Sequence, residues 1–386
     1  MIGVYAHHQG SGHVQRALSV AAVLDDEVTV LTSARIPPDA NPDPARIRIL
    51  RLPLDYDDTG ADAGTGGGAA ATAAGATGVG ADPTAGGRLH WVPLRQAGLR
   101  QRTAMITGWI DTNAPDVFWS DISVEVTLAA RLTGTPVVST VLPGRRDDDP
   151  HALAHGVCSA LVAGWPRAAG APVPAGATLP LVPVGGVSRF ADRDPEPGAR
   201  GRGRPRVLHL RGSGGGGHDR RWNSVREQLG DVEWISLGGP GGRWVADPWE
   251  EMCRADVVIT AAGQSSLADL AAADAHLVVT PEERPFGEQD ATAATLRRLG
   301  LAEVVGRDDT VDGLAHAVGR TLELARSTPG AGSGLRQAWE IDGAAERLAG
   351  VLKSVAGHVP AAAARVPAAG QPAAAGGAPA AAGGAR

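Results

Sequence analysis

The sequence predicts an α/β protein of two doubly wound, Rossmann-like units, each built on a parallel sheet and facing the other across a cleft. Three observations lead there. A short apolar strand at residues 2–6 runs into the loop His7 to Gly12 and then into a helix carrying Val14, Ala17, Leu18 and Ala21. The same order returns near the middle of the chain, where Val207 to Leu210 feeds the glycine run Gly212 to Gly217 and a helix with Trp222, Val225 and Leu229. Finally, 386 residues exceed what one hydrophobic core ordinarily serves.

The intervening elements follow the βα alternation of a parallel sheet. Val28 to Leu31 and Ile47 to Leu52 read as strands. Residues 57–87 are almost wholly Ala, Gly, Thr and Asp, too poor in apolar bulk to offset the entropy of ordering them, and are expected to be a disordered insertion. Between Pro93 and Ile110, apolar residues alternate with Arg95, Arg100 and Arg102, which predicts an amphipathic helix with a basic side. A strand at Asp116 to Trp119, a helix at Val124 to Arg131 and a strand at Pro136 to Leu142 complete the first unit, residues 1–166. An Ala/Gly/Pro linker, Ala168 to Pro180, leads to the second unit, residues 181–355, which opens on the strand Leu181 to Val184. Asp192 to Pro205 reads as a mobile loop. Strands follow at Val232 to Ser236, Val257 to Thr260 and Leu277 to Thr280. A helix from Leu335 to Val355 is expected to pack across both units, and residues 356–386, an Ala/Pro/Gly tail, to be disordered.

Composition narrows the function. Hydrophobic residues at 43% and charged residues at 20% are globular values. A formal net charge of −6 provides no basic field for a phosphate backbone, so nucleic acid is excluded as a partner. Cys158 and Cys253 belong to no paired cluster, which argues against a disulfide framework or zinc site and fits a reducing cytoplasm. The first residues show no basic, apolar and cleavage-site pattern, so no export is expected. No apolar run reaches the roughly 20 residues of a bilayer-spanning helix. Peripheral contact at the inner face of the membrane, through the basic side of the 93–110 helix, is one reading of that segment. The plainer one is a helix packed on its own sheet with its arginines in water.

Two loops carry the chemistry that the residues themselves suggest. Gly212, Ser213, Gly214, Gly215, Gly216 and Gly217 join a buried strand to a helix N-terminus. Free amides and the positive end of the helix dipole attract a phosphate there, with Ser213 as an extra donor. Without a Gly-Lys-Ser/Thr ending this is not the lysine-bearing loop of P-loop NTPases, and a flexible glycine turn is the ordinary alternative. The first loop, with Gly10 and Gly12, ends on His13 at a helix start, where backbone donors favour a neutral, basic ring able to accept a proton from an attacking hydroxyl. His7 and His8 compete for that role, and any of the three could instead cap or pack the loop.

A longer pattern bears on these alternatives. Ala255-Asp256-Val257-Val258-Ile259-Thr260, followed by Ala262-Gly263-Gln264-Ser265-Ser266-Leu267-Ala268-Asp269-Leu270, resembles the donor-binding segment of glycosyltransferase family 28, whose best-known member is the lipid II-forming N-acetylglucosaminyltransferase. The similarity continues through Pro281 to Glu288-Gln289 and Ala293, resembling the family's His-Gln-x-x-Asn-Ala pattern with Thr292 at the Asn position. It covers most of residues 181–305, and Gly10 to Ala17 resembles the family's glycine loop ending in Gly-His.

The resemblance implies a GT-B fold and a hexosyltransferase that moves a sugar from a nucleotide-diphosphate donor to an acceptor, with inversion and without a metal or other cofactor. It places the donor on the second unit: Asp269 at the ribose, where the family's usual residue is Glu; Glu288 and Gln289 at the sugar; Gly263, Ser265 and Ser266 near the diphosphate with Arg189; and Val245 at the base. His13 becomes the catalytic base. His8, Gly10, Gly12, Asp121 and Glu125 stand at strand ends or in the loop on the acceptor side, with Ser123, Arg145 and Arg146 as further candidates. The acceptor expected by resemblance is a lipid-linked glycan or a small molecule. A nucleotide-sugar epimerase, a non-catalytic nucleotide-sugar-binding subunit and, more distantly, a nicotinamide-dependent dehydrogenase are the other readings.

Overall fold

The computed structural model describes residues 1–38, 40–56, 82–196, 200–201, 203–212, 220–239, 242–327 and 330–357. Ser213, Gly214 and Gly215 of the glycine run, residues 57–81 of the insertion and residues 358–386 of the tail lie outside the described residues.

The first sheet is built from β1 (Ile2–Ala6), β2 (Val28–Thr32), β3 (Ile47–Arg51), β4 (Val117–Asp121), β5 (Val137–Val141), β6 (Ala160–Ala163) and β7 (Leu181–Pro183). Its order is β3-β2-β1-β4-β5-β6-β7. All pairings are parallel, with Val4 set between Val30 and Trp119. Strands covered on both faces are mostly apolar, and β1, β2, β4 and β5 are buried at every position. Helices α1 (Gly12–Ala22), α2 (Ala97–Asn113), α3 (Val124–Leu132) and α4 (Asp149–Val157) connect them. Ser123 and Asp148 cap α3 and α4 by accepting hydrogen bonds from Val126 N and His151 N.

The second sheet comprises β8 (Arg206–Leu210), β9 (Glu233–Leu237), β10 (Val257–Thr260), β11 (Leu277–Val279) and β12 (Glu303–Val304), in the order β12-β11-β10-β8-β9. Its helices are α5 (Arg221–Leu229), α6 (Trp249–Arg254), α7 (Gln264–Ala272), α8 (Glu288–Leu299) and α9 (Val311–Ser327). Both sheets reverse direction beside their first strand: between β1 and β4 in one, between β8 and β10 in the other. Such switch points open a crevice at the strands' carboxyl ends. The loops after β1 and β4, and after β10, are therefore the ones that meet at the cleft.

Four expectations change. Leu181–Pro183, placed at the start of the second unit, is instead the edge strand of the first sheet, paired with β6. The single helix expected over Leu335 to Val355 is broken into α10 (Leu335–Ala338) and α11 (Ala344–Gly357). Glu340 and Gly343 at positive φ turn the chain there, so that α11 returns to pack on α1, β4 and β6 of the first unit. Residues 82–87 of the expected insertion are folded, because Val92 N and Leu89 N donate to the carbonyls of Pro83 and Thr84 and close the segment on itself. Arg102 does not share a solvated basic side with Arg95 and Arg100. It is buried, donating to Tyr5 Oη and Ser33 Oγ and lying 3.3 Å from the Asp55 carboxylate. Among the described residues, no helix is long and apolar enough to cross a membrane.

Candidate active site

The loop after β1 and the last residue of β4 bring His13 and Asp121 together. Asp121 ends its strand fully buried, and its Oδ2 lies 3.0 Å from His13 Nδ1. Arg16, one turn along α1 from His13, faces the same carboxylate with Nε and Nη2, at 2.7 Å in its shortest contact. Burial opposes ionisation of Asp121, but the Arg16 guanidinium and the His13 hydrogen bond more than offset it and hold the carboxyl at about 2. An ionised carboxylate accepts, so it selects the His13 tautomer with the proton on Nδ1 and leaves Nε2 as the acceptor. Asp121, expected to meet the acceptor substrate, is instead sealed behind His13 as the group that orients it.

His7 and His8 stack in parallel, 4.6 Å between centroids, and His7 meets His13 edge-on at 6.0 Å. Burial lowers the pKa of both His7 and His8, so they line the cleft as neutral rings. Gly10 adopts the left-handed conformation in this loop. Gly12 sits where a Cβ would collide with Ser265, so the start of α1 touches the start of α7 across the seam. Glu125, expected on the acceptor side, is engaged within the protein. Its Oε1 accepts from His90 N and Trp91 N at 2.8 and 3.1 Å, and its Oε2 from Ser123 Oγ, which pins residues 90–91 over the cleft.

Two side-chain triads offer ligand atoms close enough to share a cation: His7, His8 and Asp55, and His90, Asp148 and His151. In each the carboxylate already has partners. Asp55 faces Arg102, while Asp148 faces both His90 and His151.

On the opposite side, Gly263 precedes α7 as its N-cap, and Ser265 and Ser266 stand in its first turn, half-buried. Gln289 is buried; its Oε1 accepts from Ala262 N and Glu282 N, which ties α8 to the loop after β10. Glu288 reaches the first unit, 3.8 Å from Arg146, and Arg146 in turn lies over the Phe286 ring. Arg145 N donates to the Phe286 carbonyl, so residues 144–146 and 286–288 form a second seam. A groove of ≈ 580 Å³ opens there, lined by Gly144, Arg145, Asp147, Phe286, Gly287 and Ala291.

Asp269 and Arg189 depart from their expected postures. Asp269 Oδ1 accepts from Ser188 Oγ at 2.7 Å and Oδ2 faces Arg189 Nε at 3.4 Å, so both oxygens are engaged within the protein. Burial pushes its carboxyl up to about 6, against the pull of Ser188 and Arg189. Arg189 also donates to the Ala246 carbonyl and stacks on Phe190, which turns its guanidinium toward the 245–246 segment. The pair thereby braces the strip containing Val245, which is partly buried beside the exposed Trp244. A Cβ built on Gly212, two residues past the end of β8, would meet nothing within 4 Å among the described residues.

The residues that sequence reasoning passed over are Arg16, Asp55 and Ser188. Arg16 was within reach, since it lies three residues after His13 on one helix face. The partners of Asp55 and Ser188 come from segments far along the chain, and no local pattern announces them.

Comparison with known proteins bears on the fold and on one segment of the second unit. Residues 246–328 match the family model for the glycosyltransferase family 28 C-terminal domain. Among solved structures, MurG of Acinetobacter baumannii superposes with a TM-score of 0.54 at 16% identity, covering 92% of this chain and 100% of that one. The spinosyn forosaminyltransferase SpnP gives 0.59 at 14% identity, covering 92% and 99%. LpCGTa, solved in complex with UDP, gives 0.59 at 13% identity, covering 92% and 98%. No curated protein sequence matches the chain. At these identities the structural likeness establishes the fold, GT-B with two Rossmann-like units. The chain is thus similar to family 28 glycosyltransferases over residues 246–328 and shares its overall fold with GT-B glycosyltransferases.

Proposed function

We propose that the protein transfers a hexosyl group from a nucleoside diphosphate sugar to an acceptor hydroxyl by a metal-independent, inverting displacement, with His13 as the base. The observation that carries this reading is the placement of His13: its Nδ1 is held by an ionised, fully buried Asp121, and its helix abuts the start of α7. His13 Nε2 takes the proton of the acceptor hydroxyl as the acceptor oxygen bonds to the anomeric carbon. The bond from that carbon to the diphosphate oxygen breaks, and the nucleoside diphosphate leaves with the electron pair. The amides at the α7 N-terminus, with Ser265 and Ser266, meet the charge of the leaving group. Gln289 and Glu288 stand beside the sugar, and the strip at Val245, braced by Arg189 and Asp269, takes the base.

The experiment is a thermal-shift screen of the purified protein against uridine, thymidine and guanosine diphosphate sugars, with Gln289→Ala alongside. A selective stabilisation that the variant loses supports donor binding and names the base. Failure of every nucleotide sugar to shift the wild type would remove the reading.

A further inference from the structure

The Gln264 side chain takes no part in the scheme above, yet its surroundings are unusual. It opens α7 and is 9% exposed, and its Oε1 and Nε2 are both sealed from solvent without a hydrogen-bond partner among the described residues. Buried amides are almost always paired, so such a group calls for an explanation. Across the seam stands Gly164, the residue after β6. A Cβ built on Gly164 would lie 3.5 Å from Gln264 Oε1 and 3.7 Å from Arg16 Nη1. The space beside the Gly164 Cα thus lies between a carboxamide of the donor side and the guanidinium that holds Asp121. Arg16 commits Nε and Nη2 to Asp121, and Nη1 is the atom turned toward this space.

We propose that Gln264 is a positioning residue: its Oε1 and Arg16 Nη1 are joined through one water seated beside Gly164, and the relay Gln264–Arg16–Asp121–His13 sets the His13 ring from the donor side. A water with a carbonyl acceptor and a guanidinium donor has the polar partners it needs, and such a bridge is nearly as favourable as a direct bond. Glycine at 164 keeps the space open. Alanine there would make ordinary contacts, in a backbone conformation that any residue adopts, and would fill the space with a methyl group. The consequence for turnover rests on the glycosyltransferase reading; the relay itself does not.

The test is nuclear magnetic resonance of the imidazole nitrogens in ligand-free, ¹⁵N-histidine-labelled protein, with His13 assigned through His13→Gln. Gln264→Leu and Gly164→Ala should each shift the His13 ring signals and leave those of His316, on α9, in place. Gln264→Glu, which keeps an oxygen acceptor, should stay close to the wild type. With whichever donor the binding screen selects, the first two variants should lower kcat by roughly tenfold at unchanged donor KM, and the double variant should lose little more, as two members of one relay do. Unmoved His13 signals in both folded variants would overturn the relay, as would Gln264→Glu behaving like Gln264→Leu. If Gln264→Leu does not fold, Gly164→Ala and Gln264→Glu decide the question. A screen in which no donor binds would count against the glycosyltransferase reading, while the ring signals would still decide the relay.

Discussion

His13 and Asp121 lie 108 residues apart in the chain and meet at 3.0 Å, one at the first turn of a helix and the other at the last residue of a buried strand. The strand end gives the carboxylate no freedom to leave. The imidazole keeps its outer nitrogen toward the cleft.

Replacing His13 with alanine should lower turnover by roughly 10²–10⁴-fold, the ordinary contribution of a positioned base. Donor affinity should be nearly unchanged, because the proposed donor contacts come from the opposite unit. Asp121→Asn should also be impaired, since an amide that donates to Nδ1 stabilises the wrong tautomer. Steady-state kinetics with an isothermal donor titration distinguishes loss of chemistry from loss of binding. Full turnover in His13→Ala would remove it from the mechanism.

Asp269 carries a pH signature. Its folded pKa of about 6 lies above the ordinary carboxylate value of 3.8, so the folded state holds this proton more tightly than the unfolded chain. That contribution to stability is fully present below about 4 and is lost as pH rises through about 6. Asp269→Asn, which has no proton to lose, should therefore gain stability on the wild type across that interval, by on the order of 3 kcal/mol. Urea unfolding of both proteins at several pH values from 4 to 7 measures it, and a constant difference would mean that the carboxyl titrates normally.

Gly12 and Ser265 meet where the start of α1 abuts the start of α7. Gly12→Ala should push the two helix starts apart and reduce turnover by about tenfold or more, consistent with the sensitivity of reacting groups to displacements near 1 Å. Ser265→Gly should restore part of the loss in the double variant, because it removes the atoms that the new methyl strikes. Additive losses would indicate that the contact does not set the seam.

Arg102 is 3% exposed and faces Asp55, Tyr5 and Ser33. Arg102→Ala leaves the Asp55 carboxylate without its cation and opens a hole under β1. A loss of about 3–5 kcal/mol in unfolding free energy is expected, as for other buried pairs broken on one side. Arg100→Ala, on the solvent side of the same helix, should change stability by less than about 0.5 kcal/mol. Denaturant melts of the two variants provide the comparison, and equal small effects would contradict the buried placement of Arg102.

The amino-acid sequence by itself determined the two-unit α/β frame. The twice-used order of apolar strand, loop and amphipathic helix is a local pattern, and buried parallel strands such as Val28–Thr32 and Val257–Thr260 have to be apolar on both faces. It also placed His13 and the Gly263–Ser266 turn at helix starts that follow buried strands, the positions proposed above for the ligands. Local patterns do not say which side chains meet across the fold. Asp121, Glu125, Arg189 and Asp269 were legible as polar residues near a cleft, but the structure commits each to a protein partner: His13 and Arg16, the 90–91 backbone, Ala246, and Ser188. Helical spacing equally leaves Arg95, Arg100 and Arg102 as one basic face, and burial of Arg102 depends on Tyr5, Ser33 and Asp55 arriving from elsewhere. Strand and helix are chosen by neighbours in sequence, whereas ionisation, orientation and access are chosen by neighbours in space, because a buried charge or hydrogen-bonding group must find its partner wherever the packed chain supplies one.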